Sequence, residues 1–269
     1  MIEIYSLMYE KKPNVLFKRV VSETITHLLE TWQLENGCFL ETIDADSDGG
    51  EGHYYVISST EIDQLADDSL VADWKTFFQF SDDGNMLDEA TNAKTGFNIL
   101  HPISAEPPFD LNQFQQTMRQ FRKSNRQFPT KDETVKISSN AWLIKGLYIA
   151  ADVFKNKDWR HLADKLMEII VNEIERNKDS VYLDDVVFTL SAALRGHYSM
   201  SVSKKLWEIL IDQFYDFAQG GLWFSQYEHR TPISRIKEIY DRAEPAANGV
   251  FIECAFDLFK RTNDASYYE

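Results

Sequence analysis

Apolar residues recur along this chain at helical spacing, with polar residues filling the faces between them. Val21, Ile25, Leu28, Leu29 and Trp32 fall at i, i+4, i+7, i+8 and i+11, which is one stripe of a helix. Leu162, Leu166, Ile169, Ile170 and Ile174 make a second stripe, with Asp, Lys and Glu opposite. Leu206, Leu210, Phe214 and Phe217 make a third. The spacing predicts further helices over about 110–125, 138–153, 184–197 and 245–260. Two windows, Ala141 to Ala151 and Val250 to Phe259, are apolar nearly all round. Helices buried on most sides belong to an inner layer, with amphipathic helices packed outside it.

The connections repeat as well. Three stretches, starting at Tyr9, Phe154 and Phe259, run from an aromatic through a short Lys/Asn/Asp turn to a second aromatic that opens the next helix. Two of the helices so started lead into a glycine turn and an aromatic, Asn36-Gly37-Cys38-Phe39 and Gly220-Gly221-Leu222-Trp223-Phe224. Helix, polar turn, helix and glycine turn form the pattern of stacked α-hairpins. The expected fold is therefore all-α, an (α/α) toroid of helical hairpins in a single domain spanning 1–269; a plain α-solenoid reads much the same.

Residues 40–130 break the rhythm and form a loop-rich insertion. Tyr54 to Ile57 is a short strand candidate, and Ser59-Thr-Glu-Ile reads as a helix start with a capping residue ahead of an early Glu. Asp82-Asp-Gly-Asn and the stretch from Pro102 to Pro108 carry turn chemistry. Insertions of this length are often where a binding surface is built.

A chain of 269 residues, 43% hydrophobic and 13% aromatic, can bury a large core. Its net charge of −15 argues against a nucleic-acid partner, which needs concentrated Lys and Arg. Only Cys38 and Cys254 are present, far apart, which fits a reducing cytosol and a cytoplasmic location. The N-terminus lacks the basic start and apolar run of a signal peptide, and no apolar run is long enough to span a membrane.

Candidate chemistry concentrates at helix ends and loops. Asn140, Asp184, Asp185 and Asn248 open predicted inner helices, where each is a helix cap or a member of a shared pocket. Arg235, Lys237 and Asp241 lie in the loop before the last helix, suited to a carboxylate, a phosphate or a sugar hydroxyl. Trp223 and Phe224 offer a stacking face for a sugar ring; the alternative is an ion-paired loop packed over an aromatic cluster. Asp44, Asp46, Glu51, Asp184 and Asp241 suit glycoside chemistry, which needs two carboxyls about one bond. His53 and His229 occupy pocket-type loops, and no catalytic pair is assigned. Asp44-x-Asp46-x-Asp48-Gly49 imitates the start of an EF-hand loop, but Tyr55 stands at the twelfth position where a bidentate Glu is needed. No metal and no cofactor are expected.

Six ordered segments resemble the YyaL type, relatives of spermatogenesis-associated protein 20. Asp44 to Val56 is similar to "DADSEGEEGxFYVW", and Gly84-Asn85 with Asn98 to His101 to "GNFE…NILH". Ser138-Ser-Asn140 is similar to "TSWNGL", Leu183-Asp-Asp to "LEDYAFL", Gly220-Gly-Leu-Trp-Phe to "GGFFF", and Arg235 to Asn248 to "RPKExYDGAxPSGN". The resemblance implies a toroid related to N-acylglucosamine 2-epimerase and the six-hairpin glycosidases, without implying a known reaction. It also carries departures. Nothing corresponds to the family's thioredoxin-like domain, its first hairpins or its last helix, and Thr134, Ser139, Ala246 and Ala247 replace the family's Lys, Trp and Ser-Gly. The expected function is binding of a carbohydrate or related small polar ligand, with catalysis in doubt. The alternatives are a non-catalytic scaffold, paired as a homodimer or with a separately encoded N-terminal part, and an active epimerase-, isomerase- or glycosidase-like enzyme.

Overall fold

Short polar side chains set where many of the helices begin. Asn14 Oδ1 accepts the Leu16 N–H at 2.8 Å, Asp67 the Leu70 N–H at 3.0 Å, and Asn156 those of Asp158 and Trp159. Ser58 and Glu61 form a reciprocal capping box. In chain order the helices are α1 (Ile2–Lys11), α2 (Val15–His27), α3 (Ser59–Ile62), α4 (Asp68–Phe77), α5 (Leu111–Asn125), α6 (Ile137–Phe154), α7 (Lys157–Arg176), α8 (Leu183–Arg195), α9 (Met200–Phe214) and α10 (Ala247–Thr262). Six two-residue strands are β1 (Thr42–Ile43), β2 (Asp46–Ser47), β3 (Gly50–Glu51), β4 (Ile57–Ser58), β5 (Phe97–Asn98) and β6 (Lys131–Asp132). This computed structural model describes residues 1–48, 50–226 and 234–267. They divide into two compact units, Met1–Glu41 with Glu133–Glu269, and Thr42–Asp132.

In the first unit α1 packs on α6, α6 on α8 and α8 on α10, which makes an inner row. Outside it, α2 pairs with α1, α7 with α6 and α9 with α8. This is an (α/α)-toroid arrangement of hairpins in open form. The all-round apolar composition of α6 explains its inner place: Ala141, Ile144, Leu147, Tyr148 and Ala150 are all essentially inaccessible to solvent. Amphipathic α7 buries Ala163, Leu166, Met167, Ile170 and Ile174 against the row and leaves its charged face outside.

Two departures from the predicted stripes have local causes. The chain after α2 forms a π-turn over Leu28–Trp32, closed by the Gln33 N–H on the Leu28 carbonyl. The wider turn slips the register, so Leu29, expected on the apolar stripe, is 40% exposed. Phe217, expected on the α9 stripe, lies beyond the end of that helix and is 79% exposed.

A recurring side-chain device joins these hairpins. The Asn140 carboxamide accepts the Phe39 N–H at 2.8 Å and donates to the Phe39 carbonyl at 2.9 Å, with a further bond to the Lys136 carbonyl. Asn248 does the same to Leu222, at 2.8 and 3.0 Å, and reaches the Glu238 carbonyl. Phe39 and Leu222 are also equivalent in the backbone, bridging to Gln33 and Tyr215 across their glycine turns. Helices α6 and α10 thus each grip the turn that follows the preceding outer helix.

The second unit uses the device too. Buried Asn98 clamps both the N–H and the carbonyl of Ser81, and Asn85 clamps those of Ile99. Gly84, at φ +82, holds the turn between them, and a Cβ there would collide with the Gly96–Phe97 backbone. Antiparallel ladders pair β1 with β6, β2 with β3 and β4 with β5. The strand expected over Tyr54 to Ile57 is confined to Ile57–Ser58, because Gly50 and Gly52 turn the chain through Tyr55. A separate core of Trp74, Phe77, Phe78 and Phe114 packs between α4 and α5. Among the described residues no helix is long and apolar enough to cross a membrane.

The clamp makes a quantitative prediction. Asn140→Asp keeps the shape but replaces a donor with an anion facing the Phe39 and Lys136 carbonyls. It is expected to cost about 3 kcal/mol or more in urea unfolding, against about 1 kcal/mol for Asn14→Ala at an ordinary cap. Equal losses from the two would contradict the clamp.

Candidate functional site

The starts of α6 and α8 and the loop before α10 meet around a group of charges in the first unit. Asp184, in the first turn of α8, is partly buried. Its burial, reinforced by the charges of Glu244, Glu238 and Asp185 and only partly offset by Lys136, pushes its pKa up to about 6. Lys136, just ahead of α6, bonds Glu244 Oε1 at 2.8 Å and lies 3.8 Å from Glu41 Oε1. Burial works against its charge, but the hydrogen bond to Glu244 and the charges of Glu244, Glu41 and Asp184 hold its pKa above the ordinary lysine value. One lysine therefore serves several carboxylates, and Asp184 is left with the least compensation. Near pH 6 both of its protonation states are populated, so it can donate a hydrogen bond when protonated and accept one when ionised.

Beside this group Tyr182 and Phe224 stack at 5.2 Å between ring centroids, with Tyr182 46% exposed. The Leu183 N–H bonds the Phe224 carbonyl, tying the α8 start to that pair. Exposed aromatic surface next to hydrogen-bonding carboxylates suits a ligand with one apolar face and a polar edge.

The sequence candidates divide by role. Asp185 is spent on structure, accepting the Ser138 N–H at 3.1 Å and the Tyr182 N–H at 2.9 Å. Burial raises its pKa, while those bonds oppose the shift. Asn140 and Asn248 use both amide donors on backbone carbonyls. Asp241 accepts the Ala246 N–H at 2.9 Å ahead of α10. Trp223 carries Arg235 at 5.1 Å and Lys237 at 4.4 Å from its ring centroid. Lys237 bonds Asp216 and the Gly220 carbonyl, and Arg235 bonds the Ser225 carbonyl. Of the first unit's candidates, Asp184 alone belongs to the charge group as a side chain not committed to a backbone hydrogen bond among those described.

Asp44, Asp46, Glu51 and His53 lie in the second unit. The acidic stretch closes as a hairpin with Asp46 opposite Glu51. His53 meets the Phe97 ring edge-on at 4.9 Å, with Nδ1 4.0 Å from Asp48. His53 and Glu51 line a cavity of about 700 Å3 with Asn85, Phe97 and Ile99. Among the described residues no three His, Cys, Asp or Glu side chains gather as metal ligands. His229 lies outside the described residues.

Lys136, Glu41, Glu238, Glu244 and Tyr182 were missing from the sequence candidates. Glu238 and Glu244 fall inside the Arg235 to Asn248 motif, so they were within reach. The Lys136–Glu244 bond spans 108 residues and has no local signal.

Neither a family model nor a curated protein matches this chain. It is similar to a solved GH76 α-mannanase of Bacteroides thetaiotaomicron, at 13% identity over 52% of this chain and 44% of that one, with a TM-score of 0.39. It is similar to an inactive variant of an α-1,6-mannanase, GH76A of a Salegentibacter species, in complex with α-1,6-mannotriose. There the identity is 15%, over 93% of this chain and 66% of that one, and the TM-score is 0.39. A D-mannose isomerase is similar at 12% identity over 99% of this chain and 71% of that one, TM-score 0.37. The chain thus spans about half to two thirds of the two mannanases. Superpositions this loose carry no weight for its chemistry.

The raised pKa has a consequence for stability. Well below its ordinary pKa of 3.8 Asp184 is neutral in folded and unfolded chains alike; as pH rises toward about 6 the unfolded chain ionises it first, and above about 6 folding bears the full cost. Partial exposure reduces that cost to about 1–2 kcal/mol. Asp184→Asn is therefore expected to raise stability by about 1 kcal/mol at pH 8 and by nothing well below the unfolded pKa, at about pH 2.5, read from urea curves. A difference that does not change with pH would contradict the assignment.

Proposed function

We propose that the first unit binds a carbohydrate or a related small, hydroxyl-rich molecule where the starts of α6 and α8 meet the loop before α10. The observation that carries this reading is Asp184, half-buried among Glu244, Glu238 and Lys136 beside the exposed Tyr182, which stacks on Phe224. Sugar hydroxyls donate to carboxylates and accept from a protonated one, while the ring's C–H face packs on an aromatic. We further propose that the chain is a YyaL-type toroid domain. Support comes from the clamping asparagines, since Asn85, Asn98, Asn140 and Asn248 all fall inside segments that resemble that family.

Binding, rather than turnover, is the reading this geometry favours. The epimerases that the resemblance implies use a histidine pair at the sugar, and two histidines of the first unit, among the described residues, are engaged elsewhere. His197 follows the far end of α8, about 20 Å along the helix from Asp184, where it contacts Arg261. His27 is engaged by Thr31 and the Trp32 indole.

Thermal denaturation at pH 6 with a panel of hexoses, hexosamines and disaccharides tests the proposal. A bound sugar at ten times its Kd is expected to stabilise the fold by about 1.4 kcal/mol, a rise of about 3–5 °C. The rise should vanish in Asp184→Asn and in Glu244→Gln. No shift with any sugar, or shifts that survive both substitutions, would count against the site.

A further inference from the structure

The second unit contains a cavity of its own, and backbone hydrogen bonds hold its walls. On one side the β2–β3 hairpin pairs Asp46 with Glu51 and turns back through the His53 N–H on the Gly50 carbonyl. On the other side a loop folds on itself. The Thr95 N–H bonds the Met86 carbonyl at 3.1 Å, and the Asp88 N–H bonds the Ala93 carbonyl at 2.9 Å. Asn85, which clamps Ile99, anchors the start of that loop. The enclosed volume of about 700 Å3 falls within the range of small-molecule sites.

Its lining has two characters. Val56, Met86, Leu87, Phe97 and Ile99 supply apolar surface, of which Leu87 and Ile99 are exposed. Asp48, Glu51, Asp88 and Glu89 supply carboxylates, and among the described residues no Lys or Arg lines the cavity. Asp88 Oδ1 accepts the Thr91 hydroxyl at 2.7 Å and the Thr91 N–H at 2.8 Å, which hold its pKa below the ordinary carboxylate value. Asp48 Oδ2 accepts the Gln127 N–H at 2.9 Å. His53 also lines the cavity. Its Nδ1 is shut off from solvent, has no hydrogen-bond partner among the described residues and lies 4.0 Å from Asp48 Oδ2. Orphaned buried polar atoms are uncommon in folded proteins.

We propose that this cavity binds a small organic cation, a protonated amine carried on an apolar or aromatic body. The body packs on Phe97, Ile99 and Leu87, and the ammonium faces the carboxylates. Negative charge that no lining cation offsets, in a partly enclosed site, favours a positive ligand over a neutral one of the same shape. A bare metal ion fits less well, because the acidic side chains and His53 are spread around an apolar floor and no three of them gather as ligands. A sugar fits less well too, since the apolar side chains would meet its hydroxyls. The cavity is separate from the charge group of Asp184, whose members all belong to the first unit.

The test is isothermal titration of the full chain at pH 7 with phenethylamine, cyclohexylmethylamine and the matching alcohols, phenethyl alcohol and cyclohexylmethanol. At least one amine is expected to bind saturably, about tenfold or more tighter than its alcohol. The double variant Glu51→Gln, Glu89→Gln should weaken that binding about tenfold, and so should Leu87→Lys, which puts a competing cation on the cavity wall. All three positions are exposed, so the variants should keep the parent's melting curve. No amine binding, alcohols that bind as tightly as the amines, or binding indifferent to either variant overturns the proposal. Amine binding that is lost in Asp184→Asn and kept in the second-unit variants also overturns it, and places the cation at the first unit's charge group.

Discussion

A primary carboxamide paired with both polar groups of one residue's backbone is the interaction on which this molecule depends. Asn140 on Phe39 and Asn248 on Leu222 join inner helices to the turns before them, and Asn98 on Ser81 and Asn85 on Ile99 brace the second unit. Asparagine alone among side chains of its size presents an acceptor and two donors in one plane, so it replaces a missing strand neighbour at a turn. The sites on Phe39 and Leu222 are buried, where an unpaired N–H or carbonyl costs a large share of a protein's net stability. Hydrophobic stripes bring the hairpins together, and the clamps determine which turn meets which helix start.

That geometry also explains the charge group. Once the inner helices are held with their starts together, their free N–H groups favour nearby carboxylates. Asp185 uses that environment to tie two helix starts together. Asp184, one residue earlier, faces Glu244 and Glu238 with only Lys136 in compensation. The two carboxylates are neighbours in sequence and differ in whether a described backbone N–H engages their oxygens.

Much of the fold was legible because it rests on periodicity. The stripes of Leu162 to Ile174, the apolar windows of α6 and α10 and the Asn/Asp turns each report a local rule, and the elements lie within a few residues of the predicted spans. The π-turn that rotates Leu29 outward was not legible, since π and α turns share side-chain patterns. The candidate site was less readable still. Asp184 stood out as a helix-start aspartate, but Glu41, Lys136 and Glu244 come together only through long-range packing. Asn140 and Asn248 looked alike as caps or pocket residues, because a sequence does not reveal whether a carboxamide is already engaged by backbone.

Amide hydrogen exchange at Phe39 and Leu222 tests the clamps most directly. Both amides lie in short glycine turns, where exchange is ordinarily fast. Held by buried asparagines, they are expected to exchange only with global unfolding, as slowly as the middle of α6. Exchange at the rate of exposed loop amides, with α6 still protected, would contradict the account.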